Sequence, residues 1–323
     1  MITGVVLGRR GATYQVYTEA GKVTASLRGR LKFQDDDRVV AGDVVELDVP
    51  AGGGGGARAS ITAIRPRRSV LARRAASGRG GGGEGAGAGG ARRRQPVAAN
   101  IDQVLVVTAA RDPEPNPRML DRFLVVAEAS ALPAVVVVNK IELAPSVADG
   151  LARRYRPAGY QVIATSAKVP DGLPALRDLL RGRTSVFTGA SGVGKSSLLN
   201  ALEPALGLRT GEISAYWRTG KHTTTAAELV PLAGAGFVVD TPGMREVRTW
   251  GIDVDRLGGC FPEFRRYLDR CRFDNCRHLA EPHCAVRQAA AEGAIDPDRL
   301  VSYERLYEEV SVPAWSGGRR RGR

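Results

Sequence analysis

Gly189, Ala190, Ser191, Gly192, Val193, Gly194, Lys195, Ser196 and Ser197 spell a phosphate loop of the pattern G-x-x-x-x-G-K-[ST]. The glycines let successive backbone amides curl toward an anion, the lysine neutralises β and γ phosphates, and the Ser196 hydroxyl joins a Mg²⁺ shell. The apolar run "RTSVFTG" precedes the loop and a helical pattern begins near Lys195. The amides and the helix dipole would therefore converge on one point. A chance match does not account for such flanks. The chemistry indicated is binding of a nucleoside triphosphate.

Which base is bound is read elsewhere. "NKIE", with Asn139, Lys140 and Glu142, follows the apolar run "AVVVV". In an N-K-x-D pattern the asparagine meets the base edge, the lysine lies along the ring, and the acid accepts from guanine N1–H and its 2-amino group. Adenine lacks that amino group and its N1 is an acceptor, so the acid repels it. Glu142 is one methylene longer than the usual aspartate; both acceptors survive, with altered reach. "TSAK" follows the next strand-like run, and Ser166, Ala167 and Lys168 in it fit a second base loop in which a backbone amide near Ala167 meets the base oxygen.

Two further segments address Mg²⁺ and the γ-phosphate. "DTPG" ends the apolar run "GFVVD", so Asp240 would hold Mg²⁺ through water and the Gly243 amide would sense the γ-phosphate. "TGKHTTT", residues 219–225, precedes it, and one of Thr223, Thr224 or Thr225 would be a switch-type Mg²⁺ ligand, Thr224 foremost; an ordinary polar loop is the alternative reading of that run. Met244 stands where a water-orienting glutamine often follows such a glycine. His222 is then the candidate for aligning the attacking water, against the alternative of a solvated loop histidine.

The elements that must position these residues come in an unusual order. From Pro96 the chain alternates strand and helix patterns: "DQVLVVTAA", "NPRMLDRFLVVAEAS", "PAVVVVNK", "SVADGLARRYRPAG", "YQVIATSA", "GLPALRDLL", "RTSVFTGA", "GKSSLLNAL" and "GFVVDTPG". Such alternation predicts a parallel sheet covered on both faces. Each motif falls at a strand end, yet the base motifs precede the phosphate loop, the reverse of an ordinary GTPase. A circularly permuted GTPase domain is the economical reading, because position in the sheet, and not chain order, brings strand ends to one crevice.

The flanks differ in kind. "TGVVLG", "TYQVYT", "KVTASLRG", "DVVELDV" and "ASITAIR" are short strand patterns that suit an OB-type barrel, with an SH3-like or other small barrel giving a similar signature. A second glycine run, Gly52 to Gly56, falls between the last two of these as a hairpin loop. "SGRGGGGEGAGAGGARRR", residues 77–94, has almost nothing to bury and reads as a flexible link. The expected divisions are a barrel over 1–75, a link over 76–95, the permuted domain over 96–250, and a zinc-binding unit with a basic tail over 251–323.

That last unit carries all four cysteines, Cys260, Cys271, Cys276 and Cys284, with His278 and His283 close by. In a chain expected to reside in the cytoplasm such a cluster indicates a metal site before disulfides. Cys271-x4-Cys276-x-His278-x5-Cys284 supplies three thiolates and one imidazole for a closed structural Zn²⁺ site. His283 is the competing imidazole. Cys260 lies apart and reads as a buried small apolar residue.

Composition limits the classes of function. The 323 residues are 43% hydrophobic, enough for real cores. The longest apolar run, "PAVVVV", is far too short to span a bilayer, and the amino terminus lacks the features of a signal peptide. The net charge of +13, spread along the chain, points to a polyanionic partner, with a merely solubilising surface as the plainer reading.

The barrel, the permuted motif order, "VAANIDQ", "GASGVGKSSLLN", "KHTTT", "DTPGMRE" and the cysteine cluster together closely resemble the ribosome small-subunit-dependent GTPase A (RsgA) family. The resemblance covers nearly the whole chain; Glu142 and the glycine-rich insert depart from it. It implies three units: an N-terminal all-β OB-type barrel, a circularly permuted α/β P-loop GTPase domain, and a small, mostly helical zinc domain. It implies GTP/GDP, Mg²⁺ and one structural Zn²⁺ as bound groups, with Cys271, Cys276, His278 and Cys284 as zinc ligands. The 30S subunit and its 16S rRNA are the implied partners, with no membrane, and nothing in the sequence suggests a symmetric interface, so a monomer is expected. Hydrolysis would be slow alone and stimulated by the subunit. A GTP-regulated RNA-binding switch with negligible turnover and an ATP-using RNA remodeller are the alternatives, the first resting on Met244 and the second on Glu142.

Overall fold

The computed structural model describes residues 2–28, 39–49, 59–74, 94–169, 172–207, 227–232, 236–240 and 252–311. The amino-terminal strands are β1 (Ile2–Arg10), β2 (Thr13–Thr18), β3 (Gly21–Leu27), β4 (Val44–Asp48) and β5 (Ala59–Ile64). They close in the order β1-β2-β3-β5-β4, with β4 returning to β1 and β3 parallel to β5. That closed five-stranded barrel fits the OB type. Alternate residues point inward, so Val6, Tyr14, Val16, Val45, Leu47 and Ile61 fill the interior.

A two-stranded antiparallel ribbon of β6 (Val70–Arg74) and β7 (Arg94–Ala99) joins the barrel to the next unit. The sequence pattern did not anticipate it. Pro96 breaks the expected strand signature, and the ladder accommodates it by a register shift between Leu71 and Ala72. The glycine-rich residues between these strands lie outside the described residues, as does the expected hairpin loop at 52–56.

The central sheet has six strands: β8 (Gln103–Ala109), β9 (Ala134–Asn139), β10 (Gln161–Ala164), β11 (Arg183–Thr188), β12 (Glu228–Leu232) and β13 (Gly236–Asp240), ordered β10-β9-β8-β11-β13-β12. All neighbours are parallel except β12 with β13. The sequence reading missed β12, whose Pro231 is tolerated because the strand forms the sheet edge. Every residue of β8 is buried, as expected of a central parallel strand.

Strand periodicity sorts the core into two layers. Val104, Val106, Val136 and Val138 pack with Leu120, Phe123 and Leu124 of α1 (Pro117–Ala129) and Leu151 of α2 (Pro145–Tyr155). Leu105, Val107, Val135 and Val137 pack with Leu176 and Leu180 of α3 (Pro174–Leu180) and Leu198 and Leu199 of α4 (Lys195–Leu202). From β8 the chain winds outward to β9 and β10, then returns to β11 beside β8 and winds the other way to β13. The sheet order therefore reverses at the β8–β11 junction, and a crevice opens at the carboxyl ends of those strands.

The carboxy-terminal unit is a series of 3₁₀ turns between Val254 and Arg270, followed by α5 (Ala285–Ala291) and α6 (Pro297–Ser311). Its core stacks Phe261 on Phe264 with ring centroids 4.9 Å apart, sets Tyr303 edge-on, and takes in Val125 from α1.

Buried polar groups join the units. Arg299 of α6, only 1% exposed, bonds Asp121 of α1 at 2.7 Å and Glu263 at 2.7 Å, and Tyr155 of α2 also donates to Asp121 at 2.8 Å. On the other side, Asn100 donates to Gly42 O at 2.9 Å and accepts from the Arg68 amide at 2.9 Å, while Arg67 pairs with buried Asp43 at 2.7 Å. Tyr17 of β2 meets Phe237 of β13 edge-on at 5.6 Å.

Candidate nucleotide site and metal centre

The phosphate loop bridges β11 and α4. Gly189 has φ 141°, and a Cβ there would lie 2.1 Å from Val107 O on β8. Gly194 has φ 91°, and its Cβ would lie 2.3 Å from the Asn139 side chain. Only glycine meets both constraints, left-handed backbone and close approach. Lys195 Nζ donates to Gly189 O at 2.8 Å and Ala190 O at 2.6 Å, so the amino group is folded back over the loop it serves. Ser196 is buried in the first turn of α4, while Ser191 and Gly192 stand exposed at the rim and Val193 is buried beneath.

The base motif is built onto this loop. Asn139, 1% exposed at the end of β9, donates through Nδ2 to Val193 O at 2.9 Å. Its Oδ1, buried as well, has no hydrogen-bond partner. Lys140 has φ 59°, a backbone that side-chain-bearing residues rarely adopt, and its Nζ donates to Gly192 O at 2.8 Å and to Asp112 O. One base loop thus braces both the phosphate loop and the β8–α1 turn. Glu142 follows in an exposed turn closed by the Leu143 amide on Lys140 O at 3.0 Å.

The second base loop is tied to the first. The Thr165 amide donates to Val138 O at 2.8 Å and the Ile141 amide to Thr165 O at 3.4 Å. Ser166, fully buried, accepts through Oγ from the amides of Lys168 at 3.0 Å and Val169 at 3.2 Å, which shapes the turn around Ala167. Lys168 itself is exposed.

Asp240 closes β13 one residue beyond the Val186–Val239 pair, so its backbone reaches the same strand-end rim as the phosphate loop. His222, Thr224 and Gly243 lie outside the described residues. Asp112 stood outside the motifs legible in sequence, because a backbone carbonyl leaves no side-chain signature; Thr165 and Asn100 stood within "TSAK" and "VAANIDQ" but carried no assigned role.

The metal centre is compact. One donor atom from each of Cys271, Cys276, His278 and Cys284 lies within 4.8 Å of the others. His278 Nδ1 is 3.5 Å from Cys271 Sγ and 3.4 Å from Cys284 Sγ, and those two sulfurs are 3.9 Å apart. A tetrahedral Zn²⁺ with bonds near 2.3 Å has edges of about 3.8 Å, so the donor set fits. His283 is exposed and is not among the clustered donors, and Cys260 packs in the core with its thiol toward Arg256 O at 3.5 Å.

Burial, and then the neighbouring thiols, pushes the Cys276 thiol up to about 12; burial also raises Cys284 and lowers His278. Without a cation, Cys276 and Cys284 stay protonated and the His278 imidazole stays neutral at neutral pH. A bound cation would have to displace the thiol protons.

A phosphate loop at the switch point of a permuted α/β sheet, with an asparagine–lysine base loop braced against it, defines a circularly permuted P-loop GTPase carrying an OB-type barrel and a Cys₃His unit. Residues 64–250 match the family model described as RsgA GTPase, and the chain belongs to that family. It is 47% identical over 312 residues to a small ribosomal subunit biogenesis GTPase RsgA of Gemmatimonas aurantiaca, covering 95% of this chain and 97% of that one. The protein of the same name from Moorella thermoacetica is 38% identical over 307 residues, covering 95% and 97%. Among solved structures, YjeQ from Thermotoga maritima superposes with TM-score 0.76 at 31% identity, covering 97% of this chain and 99% of that one. YloQ, described as a circularly permuted GTPase, gives 0.73 at 28%, covering 98% and 97%. Among the described residues no helix is long and apolar enough to cross a membrane.

Proposed function

We propose that this chain hydrolyses GTP to GDP and phosphate in the maturation of the small (30S) ribosomal subunit, which it binds and which stimulates its turnover. The observation that carries the reading is the bracing of the phosphate loop by Asn139 and Lys140, which joins triphosphate and base recognition in one preformed crevice. Asn139, Lys140, Glu142, Ser166, Ala167 and Lys168 hold the guanine. Residues 189–197 hold the phosphates, and Lys195 exchanges its carbonyl partners for β and γ oxygens when nucleotide enters. Ser196, Thr224 and Asp240 are the residues that would hold Mg²⁺, whose chemistry is to neutralise charge between the phosphates. Water attacks the γ phosphorus, the bond to the β–γ bridging oxygen breaks, and GDP leaves. His222 aligns that water in place of the residue that Met244 cannot be, and Gly243 senses the γ-phosphate.

The partner is reached through charge. A net charge of +13 and a closed barrel support binding of 16S rRNA, with the Cys₃His unit, Zn²⁺-bound, as a second contact. The chain acts as a cytoplasmic monomer. The test is phosphate release from GTP by the purified protein with and without 30S subunits: stimulation supports the proposal, and equal rates count against it.

A further inference from the structure

The zinc-ligand loop presents arginines and aromatic rings together. Residues 265–277, "RRYLDRCRFDNCR", hold five arginines against two aspartates. Arg265 is engaged with Glu128 of α1, but Arg266, Arg270, Arg272 and Arg277 are exposed. The Arg266 guanidinium stands 4.9 Å from the Tyr267 ring centroid and that of Arg270 5.9 Å. The Arg272 guanidinium stands 5.7 Å from the centroid of Phe273, which is 42% exposed.

A single exposed phenylalanine needs no explanation. This one sits at the apex of a loop whose shape is fixed. The Cys276 amide closes a turn on Phe273 O at 3.1 Å, the Arg272 amide donates to His283 O at 3.4 Å, and Tyr303 OH donates to Arg277 O at 2.7 Å. Cys271 and Cys276, two members of the metal-donor cluster, flank it. A large apolar ring exposed on a hydrogen-bonded loop beside cations is arranged for a flat, electron-rich partner on a polyanion.

We propose that Phe273, flanked by Arg272, is a stacking platform for an unpaired RNA base, with Arg266, Arg270 and Arg272 meeting the adjoining phosphates. The inference rests on the proposed binding of the 30S subunit and adds to it a residue and a contact chemistry. Charge alone would bind any phosphate backbone; the ring adds attraction for an unstacked base.

The experiment measures affinity of the full-length protein for 30S subunits and for protein-free 16S rRNA across a salt series. Phe273→Ala weakens both by about tenfold with an unchanged salt slope, since stacking releases no counterions. Phe273→Trp retains affinity. Arg272→Gln lowers the slope by about one. Zinc content and thermal midpoint of the Phe273 variants serve as the folding controls, and an exposed ring leaves no core cavity when truncated. Unchanged affinity of Phe273→Ala, on a wild type that binds, overturns the stacking alone. Weakening toward subunits but not toward naked rRNA overturns it in favour of a protein contact. A wild type that binds neither overturns the parent reading and this one together.

Discussion

Asn139 carries more of the site than its place in a base motif suggests. Its amide nitrogen satisfies the buried Val193 carbonyl at 2.9 Å, and Gly194 leaves room for it. Asn139→Ala strands that carbonyl at a cost of about 1–3 kcal/mol and removes a base contact. GTP and GDP affinities should therefore both fall by roughly 10-fold to 100-fold in a fluorescent-nucleotide titration. His222→Ala should leave GTP affinity intact and lower subunit-stimulated turnover by on the order of 10²-fold, within the usual range for positioned acid–base groups. A matching loss of affinity would assign His222 to binding instead. At this scale the strand–loop–helix of the phosphate loop and the Cys₃His cluster were legible, because phosphate and metal chemistry demand particular groups at fixed spacings. The carbonyls of Val193, Gly192 and Asp112 that organise them were not, since any residue supplies a carbonyl.

At the level of elements, the parallel strands β8, β9, β10, β11 and β13 were legible as apolar runs, the last four with motifs at their ends. β12 and the β6–β7 ribbon were not, because Pro231 and Pro96 mask strands that lie at an edge or a bulge. The carboxy-terminal unit depends on its cluster in a way that pH should expose. Cys276, pushed up to about 12 by burial and its thiol neighbours, and Cys284, raised by burial, are protonated without metal at neutral pH. Metal uptake must release those protons, so zinc affinity rises with pH and falls steeply on acidification. His278, lowered by burial, stays neutral until pH drops below its ordinary range and adds little to that slope near neutrality. Chelation should melt this unit ahead of the sheet, giving a zinc-dependent first transition in calorimetry. A single transition unaffected by chelator would contradict a structural metal.

For the whole molecule, the permutation places α1 and α2 where the carboxy-terminal unit docks. Arg299 is the centre of that joint. Exposed pairs across it, such as Arg122–Glu309 and Arg265–Glu128, contribute up to about 1 kcal/mol each. Arg299→Met would leave Asp121 and Glu263 buried without a counter-charge, costing about 3–5 kcal/mol. Adding Asp121→Asn and Glu263→Gln should restore much of that stability, measured by denaturant unfolding; no recovery would mean that packing, and not charge, sets the cost. This joint was invisible in sequence, since its members are 36 and 178 residues apart. The domain order and the crevice were visible in the rotated motifs. Coupling between the crevice and the subunit is tested most directly by steady-state GTP turnover of the full-length chain with increasing 30S subunits. Slow basal release that rises saturably with subunit concentration, and is lost with Lys195→Ala, is the expected result. A rate indifferent to subunits would contradict it.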